Sequence, residues 1–270
     1  MENDSHSKYI KANEIAWDEV TPIHQSYRSG QENFFKNGGI TLDKYELKYL
    51  PVLNGKNVAH LCCNCGQDTL SFVNLGAQCT GFDQSGKAIN DARKLSRNSG
   101  VYAKFVKTNV MDIPKSYYGK FDLVYVSIGV LVWIPDIKLL IRNASKLLKK
   151  GGELFIYDQH PVANLFDPDS ESKYEVKNDY FRTEPTELRG LDYIGGKEYD
   201  AKPNYQFAFR LSDILNGIAE NNLRLSKFME FKHSIEDCRP NKTQDQNSSK
   251  KYFSIKLEGV PNMFLLIAEK

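Results

Sequence analysis

Cys62, Cys63 and Cys65 crowd three thiols into four positions of the stretch NVAHLCCNCGQDTLSFVNLGAQCTGFDQSG, residues 57–86. Clustered cysteines can bind zinc or exchange disulfides. A zinc site needs four ligands, usually as two separated pairs. No second pair exists here: Cys79 falls inside a strand-like segment and Cys238 stands alone in a polar stretch. The three thiols therefore read as small turn residues, and no metal is expected. A different chemistry is written at the far end of the stretch, where Asp83 closes QCTGFD 21 residues after Cys62. A strand, a tight turn and a helix start gather free backbone N–H groups at the carboxyl edge of a sheet. An acid about 20 residues further on, at the end of the next strand, is where a ribose diol is hydrogen-bonded. His160, in YDQHP, adds an imidazole at another strand end, and its ordinary pKa of about 6.5 suits a general base.

These residues need a sheet to position them. NVAHL, QCTGF, AKFVKT, FDLVYVSI and GELFIYD are rich in β-branched and aromatic residues and read as strands. Between them lie the helix patterns QDTLSFVNL, GKAINDARKLSRNSG and DIKLLIRNASKLLKKGG, the last with Ile137, Leu140, Ile141 and Leu147 on one face and Gly151 as its stop. Such alternation predicts a parallel sheet covered on both faces. Upstream, KANEIAWDEVTPIHQSYRSG reads as a helix stopped at Gly30, SGQENFFKNGG as a mobile loop, and TLDKYELKYLPVL as a short helix capped by Thr41 or Asp43. Residues 161–206 lose periodicity and are too long for a plain loop, which predicts a lid or insertion. RLSDILNGIAENNL, RLSKFMEFKH and NMFLLIAEK then predict a helix and an antiparallel hairpin that completes the sheet.

Composition narrows the classes. A net charge of +2 gives no electrostatic case for a nucleic-acid partner. The apolar runs, of about 14 residues, fall short of the ~18 a membrane span needs. The amino-terminal residues lack a signal-peptide core, and five irregularly spaced cysteines argue for a reducing cytoplasm.

In order and spacing, five of these segments resemble the class I S-adenosylmethionine-dependent methyltransferases: VAHLCCNCG, TGFDQS, VKTNVMDIP, FDLVYVSIGVLVWIPD and LLKKGGELFIYDQHP. The resemblance covers residues 56–161. The turn is most similar to that of a bacterial small-molecule subgroup whose turn reads LQCHFGQDTLSLARLGA. The resemblance implies a Rossmann-like seven-stranded sheet in an α/β chain. Residues 1–50 would form an amino-terminal helical lid, 51–160 the cofactor-binding core, 161–206 an insertion, and 207–270 the closing helix and hairpin.

It also implies S-adenosyl-L-methionine as cofactor, with Cys62, Cys63, Gly66, Asp83, Gln84, Asn109, Val110, Met111 and Ser127 at its site. His24 and Tyr27 from the amino-terminal helix, Trp133 after the fourth strand, and His160, Tyr180 and Arg182 would then face the methyl acceptor, with His160 as the candidate base. Tyr180, Phe181, Tyr205 and Phe207 line a lid or form a small core of their own. Arg182 and Arg210 could pair with an anionic acceptor. The expected reaction is methyl transfer to N or O, less readily S, of a small molecule, by a monomer or homodimer. A non-methylating sensor and a macromolecule methyltransferase are the alternatives. The turn departs from the family: His60 stands where an acid is usual, and Cys62 and Asn64 stand where the first two glycines would be.

Overall fold

Strands buried on both faces must be covered by helices on both sides, and this chain does so around one mixed sheet. The computed structural model describes residues 6–166, 174–190, 200–233 and 257–270. Cys238, its polar surroundings and parts of the expected insertion lie outside the described residues. Five parallel strands come first: Asn57–Leu61 (β1), Gln78–Asp83 (β2), Lys104–Lys107 (β3), Phe121–Val126 (β4) and Leu148–Gln159 (β5). Arg224–Phe231 (β8) and Met263–Glu269 (β9) complete a sheet of order β3-β2-β1-β4-β5-β9-β8, in which β9 alone runs against the rest. This is the expected Rossmann-like seven-stranded sheet with its closing hairpin. Leu61 pairs with Phe82 on one side and Val126 on the other, so Cys62, Asp83 and Ser127 emerge together at the carboxyl edge.

Alternation along each strand divides the core. Ala59, Leu61, Val124, Val126, Leu154 and Ile156 pack on one face with Ile137–Leu147 (α6) and Leu211–Glu220 (α7). Val58, Leu123, Tyr125, Phe155 and Tyr157 pack on the other with Leu42, Leu53 and Phe72. Gln67–Asn74 (α4) and Gly86–Ser99 (α5) follow β1 and β2 as expected. Lys44–Tyr49 (α3) is capped by Asp43, whose carboxylate accepts from the amides of Tyr45 and Glu46, rather than by Thr41.

Two expectations are corrected. The loop expected at SGQENFFKNGG contains the helix Gln31–Lys36 (α2), entered through Gly30 in the left-handed conformation. Phe35 explains it: the ring is fully buried against Leu70 and Ile89, a burial worth about 1.5–3 kcal/mol. The helix expected to stop at Gly151 ends instead at Leu147, because Leu148 already pairs with Phe121 across the sheet. Residues 203–206 form a short strand (β7) paired with Thr186–Arg189 (β6), separate from the main sheet. The amino-terminal helix Ser7–Ser26 (α1) packs on β7.

Candidate functional site

The turn from β1 into α4 is built on three departures from ordinary backbone geometry at alternate residues. Cys62 and Asn64 take φ of 54° and 48°, and Gly66, capping α4, takes 80°. Asn tolerates this region better than most residues, and here its side chain helps, since Asn64 Oδ1 accepts from the Cys65 amide at 2.7 Å. The expected cluster of free N–H groups is not present over residues 63–66. Cys63 donates to Phe82 O, Asn64 to Asp83 Oδ2, and Gly66 to Cys63 O. The departures from glycine are thus compensated by internal hydrogen bonds.

The thiols around this turn are held protonated. Burial, with the nearby carboxylates of Asp83 and Asp158, pushes Cys62 well up, and burial does the same for Cys63. Cys65 and Cys79 are pushed up to about 12 by burial. Among the described residues no group of three His, Cys, Asp or Glu is arranged to hold a metal. Metal binding and disulfide exchange both need the thiolate. Protein purified without chelator is therefore expected to carry far less than stoichiometric zinc. Alkylation at pH 8 followed by peptide mapping should leave these four thiols unmodified until the protein is denatured. Rapid labelling of Cys62, Cys63 or Cys65 in the native protein would overturn this reading.

Asp83 sits at the centre of the turn. Its Oδ2 accepts from Asn64 N and its Oδ1 from Ser85 N, both at 2.8 Å. The two oxygens together offer about four lone-pair sites, so capacity for a further donor remains. Burial raises its pKa to about 6 against backbone hydrogen bonds from Ser85, Asn64 and Gln84. Gln84 follows it, half-buried, at the start of the α5 turn. Asp18 of α1 reaches the same place, accepting from Ser85 Oγ at 2.6 Å and Lys87 N at 3.0 Å. Lys107 pairs with Glu14 on α1 at 2.8 Å. The amino-terminal helix is thereby clasped beside the strand ends.

His60, where the family has an acid, is buried and bridges two elements. Its Nδ1 lies 2.9 Å from Thr69 Oγ1 on α4 and its Nε2 3.3 Å from Ser127 Oγ beyond β4. Ser127 is therefore at the expected edge but is already engaged. Asn109 caps a turn, since its Oδ1 accepts from Met111 N at 2.9 Å. Val110 is buried in the core, Met111 packs beside it, and the carbonyls of both accept from Asn143 Nδ2. Asn143 was missed in the sequence, where the available signal was a lone amide on the apolar face of α6.

On the side where the acceptor was expected, the chain's two tryptophans meet. Trp133, in the turn after β4, contacts Trp17 of α1 edge-to-face at 5.4 Å, with Ala16 and Val20 packed around the pair. His24 joins through Trp17 at 6.2 Å, and Tyr27 ends the same helix, half-buried. Residues 203–207 close over α1. Asn13 exchanges two hydrogen bonds with the backbone of Tyr205, and Tyr9 packs on Tyr205 and Phe207. Phe207 N donates to Val132 O at 2.7 Å.

Tyr205 and Phe207 thus bind the covering elements together. Tyr180 instead serves α7, its hydroxyl accepting from Leu211 N. Arg182 donates to the carbonyls of Glu184 and Gln206, and Arg210 pairs with Asp213, so both guanidinium groups hold protein. His160 is buried. Its Nδ1 accepts from Val162 N at 3.2 Å, and its Nε2 lies 3.0 Å from Glu230 Oε1 on β8. Burial lowers its pKa, opposed by Glu230. For this ring to take a proton, the Val162 contact would have to open.

The most heavily engaged acid of the site is Asp158, two residues before His160. Its carboxylate accepts from the amides of Gly129, Val130, Leu131 and Gln159 at 2.6–3.1 Å. The signal for it in FIYDQ was an acid among buried apolar strand residues.

Residues 58–152 match the family model described as a methyltransferase domain. That span begins in β1 and ends in β5, the half of the sheet that carries the turn, Asp83 and the residues after β3. Over residues 58–152 the chain is similar to a methyltransferase domain. Curated relatives of the domain include a ubiquinone biosynthesis O-methyltransferase of Xanthomonas euvesicatoria, 33% identical over 118 residues, which are 43% of this chain and 49% of the relative. Another is an uncharacterised methyltransferase of Synechocystis, 33% identical over 124 residues, which are 45% of this chain and 56% of the relative. The chain spans about half the length of the curated relatives it matches. Solved structures extend the likeness in fold. A SAM-dependent methyltransferase from Methanosarcina mazei superposes with a TM-score of 0.58 at 15% identity, over 86% of this chain and 99% of its own. One from Mesorhizobium loti does so with a TM-score of 0.55 at 15% identity, over 84% and 96%. No helix among the described residues is long and apolar enough to cross a membrane.

Proposed function

We propose that the chain is an S-adenosylmethionine-dependent methyltransferase acting on an oxygen or nitrogen of a small molecule. The observation that carries this reading is Asp83. Its carboxylate lies at the carboxyl edge of β2, fixed by the amides of Asn64 and Ser85, with acceptor capacity left over. A carboxylate so placed suits the adjacent hydroxyls of a ribose. When bound, the cofactor supplies a methyl group already activated on a sulfonium. The work left to the protein is alignment and exclusion of water.

In this reading Cys62, Cys63, Gly66, Gln84 and Ser127 shape the cofactor's bed, and the turn Asn109–Val110–Met111 borders its base. Trp133, His24 and Tyr27 wall the acceptor, covered by α1 and residues 200–207. His160 and Tyr180 hold the backbone at Val162 and Leu211, and Arg182 holds the cover through Gln206 O. A base is needed only if the acceptor must lose a proton, and His160 would then have to exchange its Val162 contact for the acceptor. The O-methyltransferase relatives favour oxygen as the accepting atom, and the small net charge favours a small acceptor over nucleic acid.

A second reading, a binder that senses the cofactor without transferring methyl, is favoured by His60, Cys62 and Asn64 in place of the family's acid and glycines. Calorimetric titration with S-adenosylmethionine, followed by incubation of labelled cofactor with a metabolite extract, separates the two. Binding with formation of S-adenosylhomocysteine supports transfer. Binding without any turnover supports the sensor. Absence of binding removes both.

A further inference from the structure

The turn after β4 carries both pieces of the cover. Trp133 receives α1 through Trp17, and Val132 O receives residues 203–207 through the Phe207 amide. The turn itself is irregular, a short 3-10 segment at Leu131–Trp133, with little secondary structure of its own to fix it. Val130, Leu131 and Ile134 are buried beneath it, and its leading amides are held by one side chain from the neighbouring strand. Three consecutive amides, Gly129, Val130 and Leu131, point at the buried carboxylate of Asp158 at 2.6, 3.1 and 2.9 Å. A carboxylate in a nest of N–H groups makes charge-assisted hydrogen bonds, about twice as strong as neutral ones.

We propose that Asp158 is the positioning residue of the acceptor wall: by holding the amides of residues 129–131 it sets the turn on which both α1 and β7 rest. The order of dependence runs one way. The carboxylate fixes the turn, the turn presents Trp133 and Val132 O, and the two covering segments dock on those. The inference rests on the proposed function only for what the covered space contains, since the anchoring is a property of the protein without ligand.

The chain's two tryptophans are the pair at this contact, so intrinsic tryptophan signals report it without a label. Asp158→Asn turns an amide N–H₂ toward at least one of the three donors. It is expected to abolish the near-ultraviolet circular dichroism of the tryptophan pair while the far-ultraviolet spectrum is kept. Amide exchange is expected to quicken at least tenfold in residues 129–131, 13–20 and 203–207, with β1 and β4 unchanged. Trp133→Ala tests the direction and does not depend on the first variant folding. It should release residues 13–20 and leave 129–131 protected. Unchanged tryptophan signals and unchanged exchange of α1 in Asp158→Asn would overturn the proposal. So would Trp133→Ala exposing 129–131 as fully as the Asp158 variant. Titration of the same proteins with S-adenosylhomocysteine is read separately: failure to bind it would count against the proposed function and leave the anchoring result standing.

Discussion

Asp83→Ala is expected to weaken S-adenosylmethionine binding by about a hundredfold or more. Two hydrogen bonds from the ribose to a charged acceptor would be lost, each worth roughly 1.5–3 kcal/mol, and ~1.4 kcal/mol is a factor of ten. The same substitution frees the amides of Asn64 and Ser85, so the turn also loses its fixed shape. Asp83→Asn keeps the volume and one acceptor and should lose less. The pH dependence gives an independent check. With a pKa raised to about 6, the carboxylate is ionised at pH 7, and affinity should fall as pH drops through about 6. Stability should move the other way. The folded state holds this proton more tightly than the unfolded chain, as it does for Asp158, also at about 6. Their ionisation therefore costs stability, which is recovered as pH falls from about 6 toward the ordinary aspartate value near 3.9. Titration calorimetry and thermal melts at pH 5 and 7.5 would measure both trends. Unchanged affinity in Asp83→Ala would remove this residue from the site.

Gly66→Ala is expected to be the most damaging small substitution in the turn. An added Cβ would lie 2.6 and 2.7 Å from ring carbons of Phe105 and 3.1 Å from the Cβ of Ala92, well inside contact distance. The residue also has a φ of 80°, which costs an L-residue about 1–2 kcal/mol. Overpacking adds roughly 1–3 kcal/mol. Together these correspond to a fall in Tm of about 5–15 °C for a chain of this size. Gly119→Ala is the control, since φ there is also positive but nothing lies within 4 Å of the added carbon. Equal losses in the two variants would show that strain alone operates and that the packing of Phe105 under the turn is unimportant.

The parts of this molecule legible in its sequence are those fixed by local pattern. β1 to β5 and the helices between them follow from apolar periodicity, and the position of Asp83 follows from its spacing after the turn. What was not legible depends on partners distant in the chain. Phe35 made a helix of an expected loop because Leu70 and Ile89 receive its ring. Asp158 resembled any strand acid until β4 brought three amides to it. Asn64 looked like a defective glycine, yet its own side chain supplies the hydrogen bond that the backbone needed. His160 was marked correctly as a strand-end histidine, but its engagement by Glu230 requires β8, which lies some seventy residues further on. Sequence spacing marks candidate positions of this kind, and tertiary contacts decide what holds each of them.

The reversed strand bears on how the chain is made. β9, with Met263 to Ala268 all buried, lies between β5 and β8, although it is synthesised after both. Until residue 269 has left the ribosome, the β5 edge bearing Phe155 and Tyr157 has no neighbour, and β8 has nothing to pair with. Such an open apolar edge is a template for pairing with other chains. Its closure waits on contacts more than a hundred residues apart along the chain, Glu153 with Glu269 among them, the kind that form slowly. The nascent protein thus carries a nearly complete set of parallel strands while its sheet is still unfinished, and that interval is when chaperone protection matters most.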